Sequence, residues 1–441
     1  MQLLQQILFI ALTALAIFIF VRKVKFISRN IKLGRDEKME PSPERWKNVL
    51  LMAFGQKRMF DKPVVALLHL FVYVGFVIIN VEILEIILDG IFGTHRLFAP
   101  ILGGAYSFVI NFFEILAFLV LVGVIVFLLR RNVVKLPRLN WKELNGWPKR
   151  DANYILVFEI ILMSLFLIMN ASDKALQLKE YGHYAHVHTN FLISGVITPL
   201  FQNFSPATLV AIERIAWWLH IAGIFFFLNY LPYSKHLHII LAFPNTYYAR
   251  LEPQAQMRNM PEIQQEVLYA MQPELIPADA LVEEHKKFGA NDVFSLSWKN
   301  LMDAYTCTEC GRCTEDCPAN QTGKKLSPRK IMMDTRDRME EVGYNIDKNG
   351  SFADDGKQLL HDYITAEELL ACTSCQACVQ ACPVLIHPLN IINQLRRYMV
   401  LEESKAPSEW NGMFSNIENN FAPWKFSPDE RDQWALEMNQ G

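Results

Sequence analysis

Outside two short stretches this chain has no cysteine, and all eight of its cysteines lie within those stretches. It has no G-x-G-x-x-G turn after a strand and no P-loop, so the glycine-lined phosphate cradles of flavin, nicotinamide and ATP enzymes are missing. Net charge is small as well, −2 over 441 residues, which points to no polyanionic partner such as nucleic acid. No basic segment precedes the first apolar run, and no small-x-small cleavage site follows it. Residues 1–20 therefore read as a retained helix and not as a signal peptide. The length allows two or three domains.

What is present is unevenly distributed. Five apolar stretches crowd the first half: 3–21, 64–88, 106–129, 154–169 and 209–231. Each approaches the roughly 20 residues that cross a bilayer as a helix, the fourth being the shortest. From Pro244 onward the sequence is polar and charged. Arg22, Lys23, Lys25, Arg29 and Lys32 follow the first stretch, and Arg130, Arg131, Lys135, Arg138 and Lys142 follow the third. The other two loops are nearly bare of positive charge. Basic loops face the cytoplasm, so the N-terminus lies outside and the polar half inside. This is the arrangement of a bacterial inner-membrane protein.

The cysteines form two identical runs, Cys-x2-Cys-x2-Cys-x3-Cys-Pro. They are Cys307, Cys310, Cys313 and Cys317 before Pro318, and Cys372, Cys375, Cys378 and Cys382 before Pro383. This is the bacterial two-cluster [4Fe–4S] pattern, in which the fourth cysteine of each run ligates the other cluster. One cluster then takes Cys307, Cys310, Cys313 and Cys382, and the other takes Cys372, Cys375, Cys378 and Cys317. The alternatives are two zinc sites or disulfides. Zinc knuckles pair Cys-x2-Cys and need neither the third cysteine nor the proline. A reducing cytoplasm suits thiolate ligands.

The expected architecture is all-α. A five-helix transmembrane bundle (1–243) is followed by a linker (244–296), a cytoplasmic alpha-helical two-cluster ferredoxin domain (297–400) and a docking tail (401–441). The wide gap between the cysteine runs reads as helical. Ser327-Pro328 opens one helix, with proline at its first turn. Thr365-Ala366-Glu367-Glu368 has capping-box spacing for another. The tail carries Trp410, Phe414, Phe421, Trp424, Phe426 and Trp434, either as a partner-docking surface or packed back on its own domain.

Three histidines sit in apolar helical sequence: His69 in the second span, His220 midway along the fifth, and His238 at the fifth span's inner end. Intramembrane ionisable residues are functional candidates by default. Beside two clusters they point to one or two b-type haems. The fifth span, with His220, His238 and then Phe243-Pro244-Asn245-Thr246-Tyr247, resembles the gamma subunit of respiratory nitrate reductase. That resemblance implies His69 and His238 as the axial pair of one haem. Residues 77–80 offer no second histidine on the second span. His220 then pairs with His186 or His188, ligates a five-coordinate haem, or ligates nothing; a single haem between His69 and His220 is the other arrangement. His183, His186 and His188 otherwise read as a surface loop, His236 as a spacer beside His238, and His95, His285, His361 and His387 as surface residues. Glu82, Glu85, Glu114, Glu159 and Glu213 could serve proton exchange with a quinone or end helices at the interface.

Cys310-Gly311-Arg312-Cys313, Leu326-Ser327-Pro328-Arg329-Lys330, Cys372-Thr373-Ser374-Cys375, Ile386 and Leu395-Arg396-Arg397 resemble the small iron–sulfur subunit of heterodisulfide reductase and related alpha-helical ferredoxins. Proteins combining both halves resemble membrane quinone-linked redox complexes. Residues 416–424 are similar to the stretch leading into a CCG-repeat cluster domain, for which no cysteine remains; the resemblance implies a separate CCG-type iron–sulfur partner and a possible flavoprotein. The expected role is a membrane electron-transfer subunit between a cytoplasmic redox partner and the quinone pool. The alternative is a haem-free membrane-anchored ferredoxin used for docking or redox sensing.

Overall fold

The computed structural model describes residues 2–186, 189–254, 256–257, 259–277 and 287–438. Helices and turns make up the described residues, with no strand among them. Five helices are long and apolar enough to cross a membrane. They are α1 (Gln2–Ile31), α2 (Pro63–Phe92), α3 (Gly104–Asn132), α4 (Trp147–Leu178) and α5 (Pro206–Tyr230). Proline in the first turn opens α2, α4 and α5, where its missing N–H costs nothing. Ser205 caps α5 by accepting from the Thr208 N–H at 3.2 Å. The α4 helix packs on α3 and α5, α2 packs on α3, and α1 lies across α2 and α5.

The fourth span, the shortest apolar run, is the longest helix at 32 residues. Hydropathy ended it at polar residues that the bundle satisfies internally. Asp173 meets Arg96 at 2.7 Å and Gln177 meets Thr189 at 2.9 Å, while Asn170 donates to Glu114 at 3.1 Å. The first helix likewise runs past its apolar stretch. Its basic C-terminal turns find partners, with Lys23 on Glu340 at 3.1 Å, Arg29 on Asp347, and Asn30 on the Tyr305 hydroxyl at 3.0 Å. So the expected connector begins as a rod reaching into the polar half. The fifth span does the reverse. Pro232 breaks it, two 3-10 turns follow, and His238 begins a separate helix, α6 (His238–Tyr247).

The polar half is built on α7 (Trp298–Thr306), α8 (Pro328–Asn349), α9 (Pro388–Leu401) and α10 (Ser408–Asn420). Both start signals read from sequence are present. Ser327 caps α8 ahead of Pro328, and Thr365 with Glu368 forms a capping box. Leu301, Ile331, Met339, Val342, Leu359, Ile391 and Leu395 fill a single core, each contributing about 1.5–3 kcal/mol by leaving water. Ala290, Val293 and Leu296 belong to that core as well, as does Ile27 of α1. The last residues of the expected linker are therefore part of the domain. In the tail, Phe414, Phe421, Trp424, Phe426 and Trp434 are exposed.

Candidate metal centres

The two cysteine loops have the same backbone shape. Two and four residues after the first cysteine of each, the chain turns left-handed: Glu309 and Gly311 in one loop, Ser374 and Gln376 in the other. Three of the four are not glycine, and such conformations persist where surroundings over-determine them. Alternation of this kind turns successive N–H groups to one side, a concavity suited to an anion. N–H groups do meet sulfur. Ser374 donates to Cys372 Sγ at 3.4 Å and Ile386 to Cys382 Sγ at 3.3 Å.

The thiols gather across the two loops. Cys382, from the second run, lies in the field of Cys307 and Cys310, and Cys313 in that of Cys307, Cys310, Cys382 and Cys378. Cys317, from the first run, neighbours Cys372 and Cys375, which with it surround Cys378. Burial pushes the thiols of Cys307, Cys378 and Cys382 up to about 12, and neighbouring sulfurs add to this. A zinc ion needs four ligands at about 2.0–2.3 Å from one point, and among the described residues no three Cys, His, Asp or Glu side chains gather so tightly. Cys375 is exposed, whereas Cys307, Cys317, Cys378 and Cys382 are buried.

A cavity of about 330 Å³ lies where the bundle meets this domain, lined by His69, His236 and His238, by Arg130, Arg131 and Arg138, and by Cys310. The His69 and His238 rings face each other with centroids 6.5 Å apart. His69 Nδ1 is held by Gln56 Oε1 at 3.1 Å, and His238 Nδ1 by the Lys235 carbonyl at 2.9 Å. Neither Nε2 has a hydrogen-bond partner among the described residues, which leaves it open to a metal while the other ring nitrogen is held. One metal bonded at about 2 Å to a nitrogen of each ring would set the centroids about 6 Å apart. Burial keeps the His238 imidazole below its usual range, so it stands neutral, as a ligand must.

Lys235 connects this pair to the cysteines. Its carbonyl holds His238, and its ammonium meets Glu309, inside the first cysteine loop, at 2.5 Å. Glu309 also takes Arg336 at 2.8 Å. Against burial, these two cations hold the Glu309 carboxyl below the usual range. Arg58 donates to the carbonyls of Val379 and Cys382 at 2.9 and 3.0 Å, closing the other side.

Residues 306–386 match the family model of a 4Fe-4S dicluster domain. Over 98% of its length the chain is 29% identical to the probable iron–sulfur-binding oxidoreductase FadF of Bacillus subtilis, covering 61% of that protein. Over 92% of its length it is 28% identical to the EtfAB:quinone oxidoreductase of Syntrophomonas wolfei, covering 55% of it. Across 24% of the chain it is 32% identical to one polypeptide of the CoB-CoM heterodisulfide reductase of Methanosarcina acetivorans, covering 52% of that polypeptide. The chain thus spans rather more than half the length of its two long relatives. No solved structure matches. The chain thus carries a 4Fe-4S dicluster domain behind five helices long and apolar enough to cross a membrane.

Of the other histidines, His236 and His95 differ from their sequence assignments. His220 is buried, its Nδ1 held by the Leu162 carbonyl at 3.0 Å and its ring against Phe166. Among the described residues no second imidazole faces it; His188 and the His186 side chain lie outside them, as does His285. His236 is no mere spacer, since it lines the cavity with a buried Nδ1 that has no partner. His95, read as a surface residue, instead packs against His183 with centroids 4.9 Å apart and reaches Asp173 at 3.5 Å. Nothing in the local sequence marked it, because its partners come from α4 and a distant loop.

Proposed function

We propose that this chain passes electrons between a soluble redox partner and the quinone pool through two [4Fe–4S] clusters and one b haem. One observation carries the reading: a single cavity has both facing imidazoles and Cys310 in its wall. The eight cysteines are assigned as crossed ligand sets, supported by the way Cys382 and Cys317 neighbour the opposite runs. His69 and His238 are assigned as axial ligands of a single haem because they face each other from two separate helices, whereas His236 and His238, with centroids 5.8 Å apart, stand two residues apart on one segment. Such groups supply one-electron carriers whose potentials follow axial ligand, burial and nearby hydrogen bonds.

The chain's residues hold and tune that series. Arg131 Nη1 is buried in the cavity region without a partner, which suits a haem carboxylate, with Arg130 and Arg138 beside it. Lys235 ties the His238 carbonyl contact to the loop of Cys307 and Cys310. Cys375 is exposed, so its cluster is the entry for a soluble partner, and the exposed Phe421, Trp424 and Phe426 offer it an apolar landing. A flavoprotein or a CCG-type iron–sulfur protein fits that role. The basic loops lie at the cluster end of the bundle, which supports a cytoplasmic position for that end.

The purified chain should show the b-type alpha band on reduction. His69→Ala and His238→Ala should each remove it while the cluster EPR signals stay. A band that survives both changes overturns the ligand assignment; iron–sulfur signals with no porphyrin at all leave a haem-free membrane-anchored ferredoxin.

A further inference from the structure

The junction cavity has two ends of opposite character. Toward the cysteines its wall carries Arg130, Arg131, Arg138 and Arg312; inside the bundle it carries Tyr73, Phe76, Phe127 and Glu159. Glu159 stands about 18 Å along α4 from the cluster end, in apolar surroundings, and is 7% exposed. Neither its carboxyl nor the Tyr73 hydroxyl has a hydrogen-bond partner among the described residues.

Most other buried acids of the bundle have hydrogen-bond partners. Glu85 takes the Tyr106 hydroxyl at 2.9 Å, Glu114 takes Asn170 at 3.1 Å, Asp173 takes Arg96 at 2.7 Å, and Glu213 takes Tyr184 at 3.0 Å. Glu82 is the exception: its buried Oε2 has no partner although it lies in the field of Arg96, but it lines neither cavity. An unpaired acid at this depth costs a few kcal/mol and marks a functional position by default.

We propose that the Glu159 end of the cavity binds the headgroup of an isoprenoid quinone, resting on the electron-transfer reading above. The headgroup is flat and apolar with two carbonyl oxygens. Phe76 and Phe127 supply the apolar wall, and Tyr73 and Glu159 supply the donors. Reduction takes two electrons, which a haem held by His69 and His238 would supply one at a time, and two protons. The Glu159 O–H breaks as a quinol O–H forms, and the carboxylate is reprotonated from water at the arginine-lined end. A second proton from that water completes the quinol; oxidation of quinol reverses each transfer.

A larger cavity of about 1030 Å³ sits at the far end of the bundle, among Phe9, His95, Arg214, Trp217 and Trp218. Its Gly90 wall is about 30 Å along α2 from His69, too far for a direct electron step. That distance favours the Glu159 end.

The test is a fluorescence-quench titration of the detergent-purified full chain with the quinol analogue 2-heptyl-4-hydroxyquinoline N-oxide. Glu159→Leu should weaken binding at least tenfold with the alpha band and cluster signals intact. Glu159→Gln, which keeps a donor and loses the exchangeable proton, should bind within about threefold of wild type yet slow haem reduction by a soluble quinol tenfold. Trp218→Ala should bind normally. Unchanged binding in Glu159→Leu, or loss in Trp218→Ala, overturns the proposal. A wild-type chain with the alpha band that does not bind the probe overturns this site alone, whereas a chain without the band overturns the function beneath it.

Discussion

Replacing Gly311 by alanine separates backbone strain from crowding inside the first cysteine loop. Gly311 has φ +76, where a residue with a Cβ pays about 1–2 kcal/mol. Gly350, which ends α8 at φ +81, pays the same, and an added Cβ there meets nothing within 4 Å. At Gly311 the Cβ would stand 2.4 Å from Arg329 Nη1 and 3.0 Å from the Arg138 carbonyl. Arg329 has no room to yield. It is fully buried and donates to the Arg138 carbonyl at 2.6 Å and to Glu143 at 2.7 Å. Breaking a buried pair of this kind costs about 3–5 kcal/mol. Gly311→Ala should therefore lose about 4–7 kcal/mol against about 1–2 kcal/mol for Gly350→Ala. Denaturant titration followed by the iron–sulfur absorbance measures both, and iron content should fall only in Gly311→Ala. Equal midpoint shifts in the two variants would refute the reasoning.

Arg338 is fully buried between Asp292 and Asp355, at 2.8 and 2.6 Å, and Arg338→Met should destabilise the cluster domain by about 3–5 kcal/mol in the same titration. Hydrogen bonding to Arg338 holds the Asp355 carboxyl below its usual range, so this contribution is present above that range and is lost as pH falls through the lowered value; a wild-type minus variant difference that does not shrink in acid contradicts it. Cluster insertion should release protons, because burial keeps the Cys307, Cys378 and Cys382 thiols protonated at neutral pH in the metal-free protein. Reconstitution with ferrous iron and sulfide should then be more complete at pH 8.5 than at pH 6.5, and a pH-stat recording no acid release would rule this out.

Local signals were reliable wherever the physics was local. The cysteine spacing, the Ser327-Pro328 start and the Thr365 capping box each depend on a few adjacent residues; the two helix starts are present in the structure, and the cysteine runs fall within the matched dicluster domain. Hydropathy found five spans but misjudged two lengths. Asn170, Asp173 and Gln177 look like the end of a helix until Glu114, Arg96 and Thr189 arrive from elsewhere in the fold. Lys23 and Arg29 look like loop charges until α8 supplies carboxylates.

The order of residues by itself determined an all-α chain with an apolar first half and two four-cysteine runs, because helix length, side-chain polarity and ligand spacing are properties of short segments. A family resemblance already pairs His69 with His238, but tertiary structure alone decided that Cys310 opens on the same cavity and that Glu159 is left without a partner there. Those facts depend on which helix faces meet across the bundle. A side chain's distance from residues hundreds of positions away is set by packing, and no local sequence pattern encodes it.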